Sequence, residues 1–519
     1  MDFYLIIIFI LFFAAFADLI VGISNDAVNF LNSALGSKAS NRVTIMIVAS
    51  LGVFLGTTFS SGIMEVARKG IFNPEMYVYH EVMIIFLAVM ITDIILLDFF
   101  NTYALPTSTT VSIVFEILGG AVAIALLNIL IYNSNFSLID YINTSSVFKI
   151  VSSIGLSIFF SFIFGFIIQF IIRLWFTFNY EKSIKLIGPI FAGIASAVIS
   201  YFLLIKGLKG SSLINEFQKI WIENNFSMVI TYGFFSFTIF YYFVSFIFNV
   251  NVLKITVLLG TFALALAFAA NDLVNFIGAP MGALASYNIT NSIPNVNPNT
   301  FLMDGLNSKV NAETWILLIA GTIMVITLWL SKKAKNVTET EINLGRQSHG
   351  VERFGSSVLA KALVTFGIII SKFIYKITPV KISNFVSKRI NPKNIPENKK
   401  LNNPPAFDMI RASVNLVVAS ALISIGTSLK LPLSTTFVTF SVAMATSLAD
   451  KAWGKESAVY RVNGVLTVIG GWIFTAFLAF FACSIFTTLI YFFEYYAIAT
   501  LILVAGYYYF KSNKIILKK

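Results

Sequence analysis

The chain has 519 residues, of which 57% are hydrophobic and only 12% are charged, and its formal net charge is +12. Because a soluble domain carries about 25% charged residues, this composition excludes an ordinary soluble protein and indicates an integral membrane protein. The single cysteine, Cys483, excludes an intramolecular disulfide framework. The sequence contains no P-loop pattern, no Cys/His cluster and no nucleophile elbow, so we predict neither enzyme activity nor a bound cofactor.

Many apolar runs reach the roughly 20 residues that a spanning helix needs. Backbone in lipid must satisfy its own hydrogen bonds, so these runs predict α-helices, whereas a β-barrel would show short alternating segments. We therefore predict an all-α membrane protein with about 12 membrane helical segments. The first run has no basic start and no small-residue cleavage site, so we expect a retained helix rather than a signal peptide.

The first predicted helix, from about Tyr4 to Ile23, leads into a polar motif, Asn25-Asp26-Ala27-Val28-Asn29. Glycine and asparagine are poor helix formers, so we expect the helix to be broken or unwound at this motif. A second span is predicted for residues 43–66. Its three glycines would allow close contact with a neighbouring helix; they are Gly52, Gly56 and Gly62.

The next apolar run, from Glu81 to Phe100, is barely long enough to span and ends before Leu105-Pro106-Thr107-Ser108-Thr109-Thr110. Pro106 fixes the chain just before three consecutive hydroxyl residues. This pattern predicts a re-entrant hairpin or broken helix whose second arm begins near Ser108. Four further acids lie in or near apolar runs, and each could be an interfacial charge or a packing partner as readily as a functional group: Glu65, Asp93, Asp98 and Glu116. Asp93 and Glu116 are the stronger candidates because they flank the hairpin.

Further spans are predicted near residues 148–174, 186–206, 226–249 and 251–270. The last of these leads into a second copy of the polar motif, Asn271-Asp272-Leu273-Val274-Asn275, offset from the first by 272 − 26 = 246 residues. Carboxylates at bilayer depth are costly and usually mark an ion or substrate path. Two such copies suggest a duplicated unit with a site between its halves.

After a span predicted for residues 314–330, the composition changes. Residues 331–405 hold fourteen Lys and Arg against four Glu, and this excess explains much of the net charge. It predicts that this insert lies in the cytoplasm, and we expect no nucleic-acid partner. The apolar piece from Val358 to Ile370 is short and flanked by lysines, so we predict an interfacial helix rather than a span. The insert could bind anionic lipid or a regulator.

Membrane sequence resumes after the insert with Leu431-Pro432-Leu433-Ser434-Thr435-Thr436, which repeats the first hydroxyl motif. Each half therefore carries Asn-Asp-x-x-Asn followed by Leu-Pro-x-Ser-Thr-Thr. Two motifs repeated in the same order are far less probable by chance than either motif alone. Spans predicted near 462–483 and 486–509 complete the chain.

The doubled motifs resemble the inorganic phosphate transporter (PiT) family, the sodium- or proton-coupled phosphate symporters, which carries G-A-N-D-x-x-N and L-P-x-S-T-T in both halves. The resemblance covers roughly residues 1–330 and 406–483. This sequence departs from the family pattern in two ways. Where the family has Gly-Ala before Asn-Asp, this chain has Ile23-Ser24 in the first copy and Ala269-Ala270 in the second. Where the family frequently has His after Ser-Thr-Thr, this chain has Val111 and Phe437. Neither departure removes a polar group from the core motifs.

The resemblance implies two inverted repeats with broken helices and re-entrant hairpins, a site at mid-membrane between them, a homodimer, and both chain ends outside the cell. It implies a multi-pass protein of the cell (inner or plasma) membrane. The corresponding division is a first repeat at 1–175, connecting helices at 176–250, the start of the second repeat at 251–330, the cytoplasmic insert at 331–405, and the rest of the second repeat with the C-terminal helices at 406–519.

A phosphate ion in the membrane needs many hydrogen-bond donors, and helix N-termini can add backbone N–H groups and a favourable dipole. The predicted substrate-binding residues are Asp26, Asn29, Ser108, Thr109, Thr110, Asp272, Asn275, Ser434, Thr435 and Thr436. The carboxylates could hold Na⁺ or accept a phosphate proton, which sulfate lacks. The candidate Na⁺ ligands are Asn25, Asp26, Asn271 and Asp272.

We therefore predict a secondary symporter that imports inorganic phosphate, driven by Na⁺, by alternating access. A sulfate permease or a proton-coupled anion carrier of the same fold is the alternative within this class. An ion channel is an alternative of another class and would conduct without saturation or coupling. A non-transporting membrane scaffold is a third and would tolerate loss of both aspartates.

Overall fold

The computed structural model describes residues 3–58, 70–181, 183–207, 216–308, 313–347, 354–391, 404–429, 433–453 and 457–518. These residues form α-helices and two short 3₁₀ turns, with no β-strand among them. The helices of the first half are α1 (Phe3–Asp26), α2 (Val28–Ser37), α3 (Arg42–Thr58), α4 (Tyr79–Thr102), α5 (Thr109–Leu130), α6 (Leu138–Tyr141), α7 (Thr144–Phe176), α8 (Ile184–Gly207), α9 (Glu216–Asn224) and α10 (Phe226–Ile247). The remaining helices are α11 (Val252–Asn291), α12 (Thr314–Leu330), α13 (Lys332–Gly345), α14 (Val358–Ile377), α15 (Val380–Arg389), α16 (Met409–Ser428), α17 (Thr435–Ala449) and α18 (Ala458–Lys518).

The described residues contain ten helices that are long and apolar enough to cross a membrane, or eleven if the bent pair α12 and α13 counts as one. Two shorter apolar helices, α3 and α17, add to this set. These helices confirm the predicted all-α, multi-pass membrane protein. The last helix, α18, has non-helical backbone at Glu494 (φ 41°, ψ −115°), so its break lies later than the predicted boundary between residues 483 and 486.

The helix is not unwound at the first Asn-Asp motif, and that prediction is wrong. Ala27, between α1 and α2, has helical angles (φ −55°, ψ −27°), and its N–H donates to the carbonyl of Ile23 at 3.0 Å. The second motif lies inside α11, a helix of 40 residues that continues well past the predicted end at residue 270. Asparagine weakens helices when its side chain competes for local backbone. Here the Asn25 and Asn271 side chains bond to other segments instead.

The two arms predicted on either side of Pro106 are α4 and α5, joined by residues 103–108, and their re-entrant position stays a prediction. The second arm begins where expected, because the Ser108 hydroxyl accepts a hydrogen bond from the Val111 N–H at 3.2 Å and caps the helix. Ser434 caps α17 in the same way, accepting from the Phe437 N–H at 3.2 Å. With 24 and 22 residues, α4 and α5 are each long enough to span, so α4 is longer than predicted.

Small residues bring α3 close to α11, as predicted. A Cβ on Gly52 would lie 2.5 Å from the carbonyl oxygen of Phe262, and one on Gly56 would lie 2.9 Å from the Cβ of Ala269. The backbones can approach this closely only because no side chain intervenes. Gly62 and the rest of the predicted span beyond residue 58 lie outside the described residues.

The basic insert begins with a helix that packs into the protein. α13 is bent by 69° from α12, and its Lys333 and Glu341 are buried. Further on, α14 has 20 residues instead of the 13 predicted from Val358 to Ile370, and by length and composition it could span. The predicted length of this helix is therefore wrong, while its interfacial position stays a prediction.

A buried ion network joins α7, α16 and the turn after α17. Asp450 accepts from Arg173 at 2.6 Å and from Arg411 at 2.9 Å, and Arg173 also pairs with Asp408 at 2.7 Å. Burial by itself raises the pKa of Asp450, but the charges of the two arginines outweigh burial and hold the pKa below its usual range. The network fixes the far end of α17, whose first turn carries Thr435 and Thr436.

Candidate functional site

The carboxylate of Asp26 receives hydroxyl hydrogen bonds from both halves of the chain. Thr109, at the start of α5, donates to its Oδ2 at 3.1 Å. Thr436, at the start of α17, donates to its Oδ1 at 3.2 Å. A carboxylate at the end of α1 is thereby held between the first turns of two other helices.

Asp272 is held in the corresponding way from the middle of α11. Thr435 donates to its Oδ2, and Thr110 donates to its Oδ1 at 3.4 Å. The neighbouring Asn271 amide also donates to Oδ1, at 2.7 Å. Each carboxylate is therefore bonded to one threonine of its own half and to one threonine of the other half.

The two asparagines that close the motifs connect the halves. The Asn29 amide donates to Thr435 at 3.4 Å and to Thr436 at 3.1 Å. The Asn275 amide donates to Thr109 at 3.2 Å and to Thr110 at 3.1 Å.

The hydrogen bonds of the two halves are equivalent, residue by residue. Asp26 corresponds to Asp272, Asn29 to Asn275, and Thr109 and Thr110 to Thr435 and Thr436. Every bond that joins these aspartates and asparagines to these four threonines has its counterpart in the other half. The structure thus brings eight of the ten predicted substrate-binding residues into one bonded cluster. All ten are buried, with exposed fractions between 0% and 7%.

Ser108 and Ser434 are the two predicted residues outside this cluster of bonds. Their hydroxyl oxygens cap α5 and α17, so they orient the helix starts that carry the threonine pairs. A helix N-terminus presents unsatisfied N–H groups and a positive dipole end, both suited to an anion. Two such ends meet at this cluster.

Two of the predicted Na⁺ ligands, Asn25 and Asn271, form hydrogen bonds that join neighbouring segments of the protein. Asn25 donates to Asn101 at 2.8 Å and to the Leu105 carbonyl at 3.2 Å, and its oxygen accepts from the Thr107 N–H at 2.9 Å. These bonds hold the loop between α4 and α5. Asn271 donates to the Leu433 carbonyl at 3.3 Å and accepts from Thr427 at 3.2 Å.

The carboxylates and hydroxyl oxygens of the cluster are the kind of ligand that hard cations prefer. Among the described residues, no group of three or more His, Cys, Asp or Glu has a geometry suited to a metal ion. A cation at this site would therefore be held by at most two carboxylates together with hydroxyl and carbonyl oxygens.

Two further residues at the site have no counterpart in the predicted set. The Thr439 hydroxyl donates to the oxygen of Asn29 at 3.0 Å, one turn along α17 from the threonine pair. Helical spacing from Thr435 and Thr436 could have revealed it, since residues three and four apart share a face. Asn101 donates to the Val21 carbonyl at 2.8 Å and ties α4 to α1.

The four further acids noted in the sequence have different surroundings in the structure. Asp98 forms a buried ion pair with Lys333 at 2.5 Å and accepts from Ser512, which is a structural role. Asp93 and Glu116 are completely buried and lie together beside Asp18, an acid absent from the predicted set. The only signal of Asp18 in the sequence is a lone carboxylate inside an apolar run. Glu65 lies outside the described residues.

Comparison with known proteins identifies a family for this chain. The model of the family described as "Phosphate transporter family" matches residues 23–340, more than half of the chain. A protein named "Putative phosphate permease" from Pyrococcus furiosus is 28% identical over 306 residues, covering 57% of this chain and 67% of the relative. One of the same name from Pyrococcus abyssi is 29% identical over 306 residues, covering 57% and 68%.

A solved structure described as "The sodium-dependent phosphate transporter" has a TM-score of 0.62 and covers 94% of this chain and 99% of that chain. At 17% identity this likeness shows the fold alone. The matching family is a transporter family, in agreement with the prediction that the chain is not an enzyme. The doubled motifs, the fold and the match over residues 23–340 lead to one conclusion: the chain is a membrane protein of the phosphate transporter family.

Proposed function

We propose that this protein imports inorganic phosphate by secondary active transport, coupled to Na⁺ and working by alternating access. The observation that carries the proposal is the buried cluster in which Asp26 and Asp272 are each bonded to threonines of both halves. A site built equally from two halves opens to one side when the halves tilt one way and to the other side when they tilt back.

The donors of the cluster suit a tetrahedral oxyanion. The four threonine hydroxyls and the two asparagine amides can turn from their present partners to phosphate oxygens. The helix starts of α5 and α17 supply positive potential without a lysine or arginine in the motifs.

The two aspartates favour phosphate over sulfate in this proposal. Phosphate carries a proton near neutral pH and can donate it to a carboxylate, whereas sulfate has none to donate. Leaving a buried acceptor without a donor costs about 1–3 kcal/mol, which corresponds to roughly a 5- to 150-fold preference.

Na⁺ fits the same cluster as a second substrate. Asp26 and Asp272 are two buried acids beside an anion site, and a cation bound by their carboxylates and the threonine oxygens would offset their charge. The similar solved structure is described as sodium-dependent, which supports Na⁺ over other cations. We also propose a homodimer in the cell membrane with residues 331–405 on the cytoplasmic side, supported by the fourteen cations in that segment.

The test is uptake of radiolabelled phosphate by proteoliposomes that contain the purified protein, with and without an inward Na⁺ gradient. We expect saturable uptake that the Na⁺ gradient drives above equilibrium and that excess sulfate does not inhibit. Uptake that sulfate inhibits as strongly as phosphate itself would indicate a sulfate permease. Flux that never saturates and never exceeds equilibrium would indicate a channel, and no flux at all would indicate a scaffold.

A further inference from the structure

Three carboxyl groups form a second buried cluster next to the phosphate site. Asp18 lies on α1, Asp93 on α4 and Glu116 on α5, and the exposed fraction of each is 0%. Asp18 precedes Asp26 by eight residues on the same helix, which places it about 12 Å away along the axis. The motifs shared by the two halves do not include any of these three acids.

The carboxyl groups face each other, and one hydroxyl group, that of Ser112, reaches them. Asp93 lies in hydrogen-bonding contact with both Asp18 and Glu116. The Ser112 hydroxyl also faces Asp93, and within the described part of the chain no other group outside the cluster bonds to the oxygens of Asp18 or Asp93, or to Oε2 of Glu116. Oε1 of Glu116 accepts from the Ser112 hydroxyl at 2.8 Å.

In the part of the chain that the structure describes, the helices packed around the cluster bring no cation to it. On α18, the group facing Glu116 is the thiol of Cys483, and on α1 the nearest further charge is Asp26. The lysine that α13 contributes to the interior, Lys333, is already paired with Asp98. Among the described residues, no ion pair includes Asp18, Asp93 or Glu116.

Two carboxyl groups in contact inside a protein cannot both be ionised, so they share a proton. This cluster has two such contacts, Asp18 with Asp93 and Asp93 with Glu116. If Asp18 and Glu116 each carry a proton, each can donate a hydrogen bond to the carboxylate of Asp93. We propose that Asp18, Asp93 and Glu116 form a proton-binding site that is electrostatically coupled to the anion site at Asp26.

The coupling follows from charge and distance. Each proton lost adds one negative charge near Asp26, and at about 12 Å in a protein interior that repulsion weakens anion binding by roughly tenfold. Protons on the cluster therefore favour phosphate binding, and phosphate favours their retention. This step rests on the proposed function, because it takes phosphate as the anion.

The first experiment measures transport. Proteoliposomes with equal Na⁺ on both sides and a clamped membrane potential are held at one external pH, so that external phosphate speciation does not change, while the internal pH is raised. We expect an alkaline interior to stimulate initial phosphate uptake several-fold in the wild type. The stimulation should disappear in Asp93→Asn and in Glu116→Gln but persist in the matched control Asp140→Asn, which removes an exposed carboxylate. Two variants are used so that one that fails to fold does not decide the result.

The second experiment does not depend on phosphate. Infrared spectra of the purified protein should show a protonated-carboxyl band that shifts in D₂O and weakens in Asp18→Asn and Glu116→Gln but not in Asp140→Asn. Absence of that band in the wild type would overturn the proposal. Its removal by Na⁺ at constant pH would also overturn it, because the cluster would then be a sodium site. If no gradient drives phosphate uptake, the proposed function fails, while the infrared band still decides whether the cluster binds protons.

Discussion

The hydroxyl of Thr436 donates a hydrogen bond to the carboxylate of Asp26 at 3.2 Å, although 410 residues separate them in the chain. The corresponding bond in the other direction joins Thr110 to Asp272 at 3.4 Å. Each carboxylate thus belongs to a helix of one half and is bonded to a helix start of the other. A tilt of one half against the other would change both bonds, and this is the movement that the proposed transport cycle uses.

Replacing either aspartate with asparagine should affect transport to a similar extent. Asp26→Asn and Asp272→Asn preserve the shape of the side chain but remove its charge and one acceptor oxygen. Both aspartates accept hydrogen bonds from one threonine of each half, so the two losses are equivalent. We expect each to lower phosphate uptake at least tenfold in the proteoliposome assay. Asp140→Asn, at an exposed carboxylate, should leave uptake unchanged. Normal uptake in both variants would contradict the proposed role of the aspartates.

The threonines should be replaceable by serine but not by valine. Thr436→Val and Thr110→Val keep the shape but remove a hydroxyl bonded to a buried carboxylate. Losing a hydrogen bond to a charged group costs about 1.5–3 kcal/mol, so we expect kcat/KM for phosphate to fall by about 10- to 150-fold. Thr436→Ser and Thr110→Ser retain the donor and should stay within a few-fold of wild type. Equal losses with valine and serine would show that packing, not the hydroxyl, matters.

Asp450→Asn should strongly destabilise the protein. The substitution leaves Arg173 and Arg411 buried without their shared partner, and breaking a buried pair in this way costs about 3–5 kcal/mol. Thermal unfolding in detergent should show the loss. The control is Glu339→Gln, which removes a surface pair with Lys335 whose side chains are 57% and 55% exposed; its effect should be below about 1 kcal/mol.

The same network predicts a pH dependence. The pKa of Asp450 is lower in the folded protein than in the unfolded chain, so its contribution is present above the unfolded value. That contribution is lost as the pH falls through the folded value. Wild-type stability should therefore drop more steeply in acid than that of Asp450→Asn. Parallel curves for the two proteins would exclude this contribution.

A methyl group on Gly52 should disrupt the contact between α3 and α11. The added Cβ would lie 2.5 Å from the Phe262 carbonyl oxygen, a backbone atom that cannot yield locally, and overpacking of this kind costs about 1–3 kcal/mol. Thermal unfolding of Gly52→Ala should show that loss. Gly155→Ala is the matched control, because nothing lies within 4 Å of its Cβ, and alanine there should be neutral or slightly stabilising. Equal stability of the two variants would refute the close packing.

The order of amino acids was enough to predict a helical membrane protein with two copies of a polar motif and two copies of a hydroxyl motif. Hydropathy and motif order are local properties of the chain, so they can be read without knowing which segments meet. Helix starts at Ser108 and Ser434 were predictable for the same reason, since a cap involves only neighbouring residues.

Which groups meet was not predictable without the folded arrangement of the helices. The pairing of Asp26 with Thr436, the continuity of the helix through Ala27, the contact of Asp18 with Asp93, and the network at Asp450 depend on packing between segments far apart in the chain. A carboxylate in an apolar run has the same local signal whether its neighbour is a lysine, as for Asp98, or another acid, as for Asp93. Its role is set by the low-dielectric surroundings that folding provides, because there the identity of one neighbour decides which charge is stable.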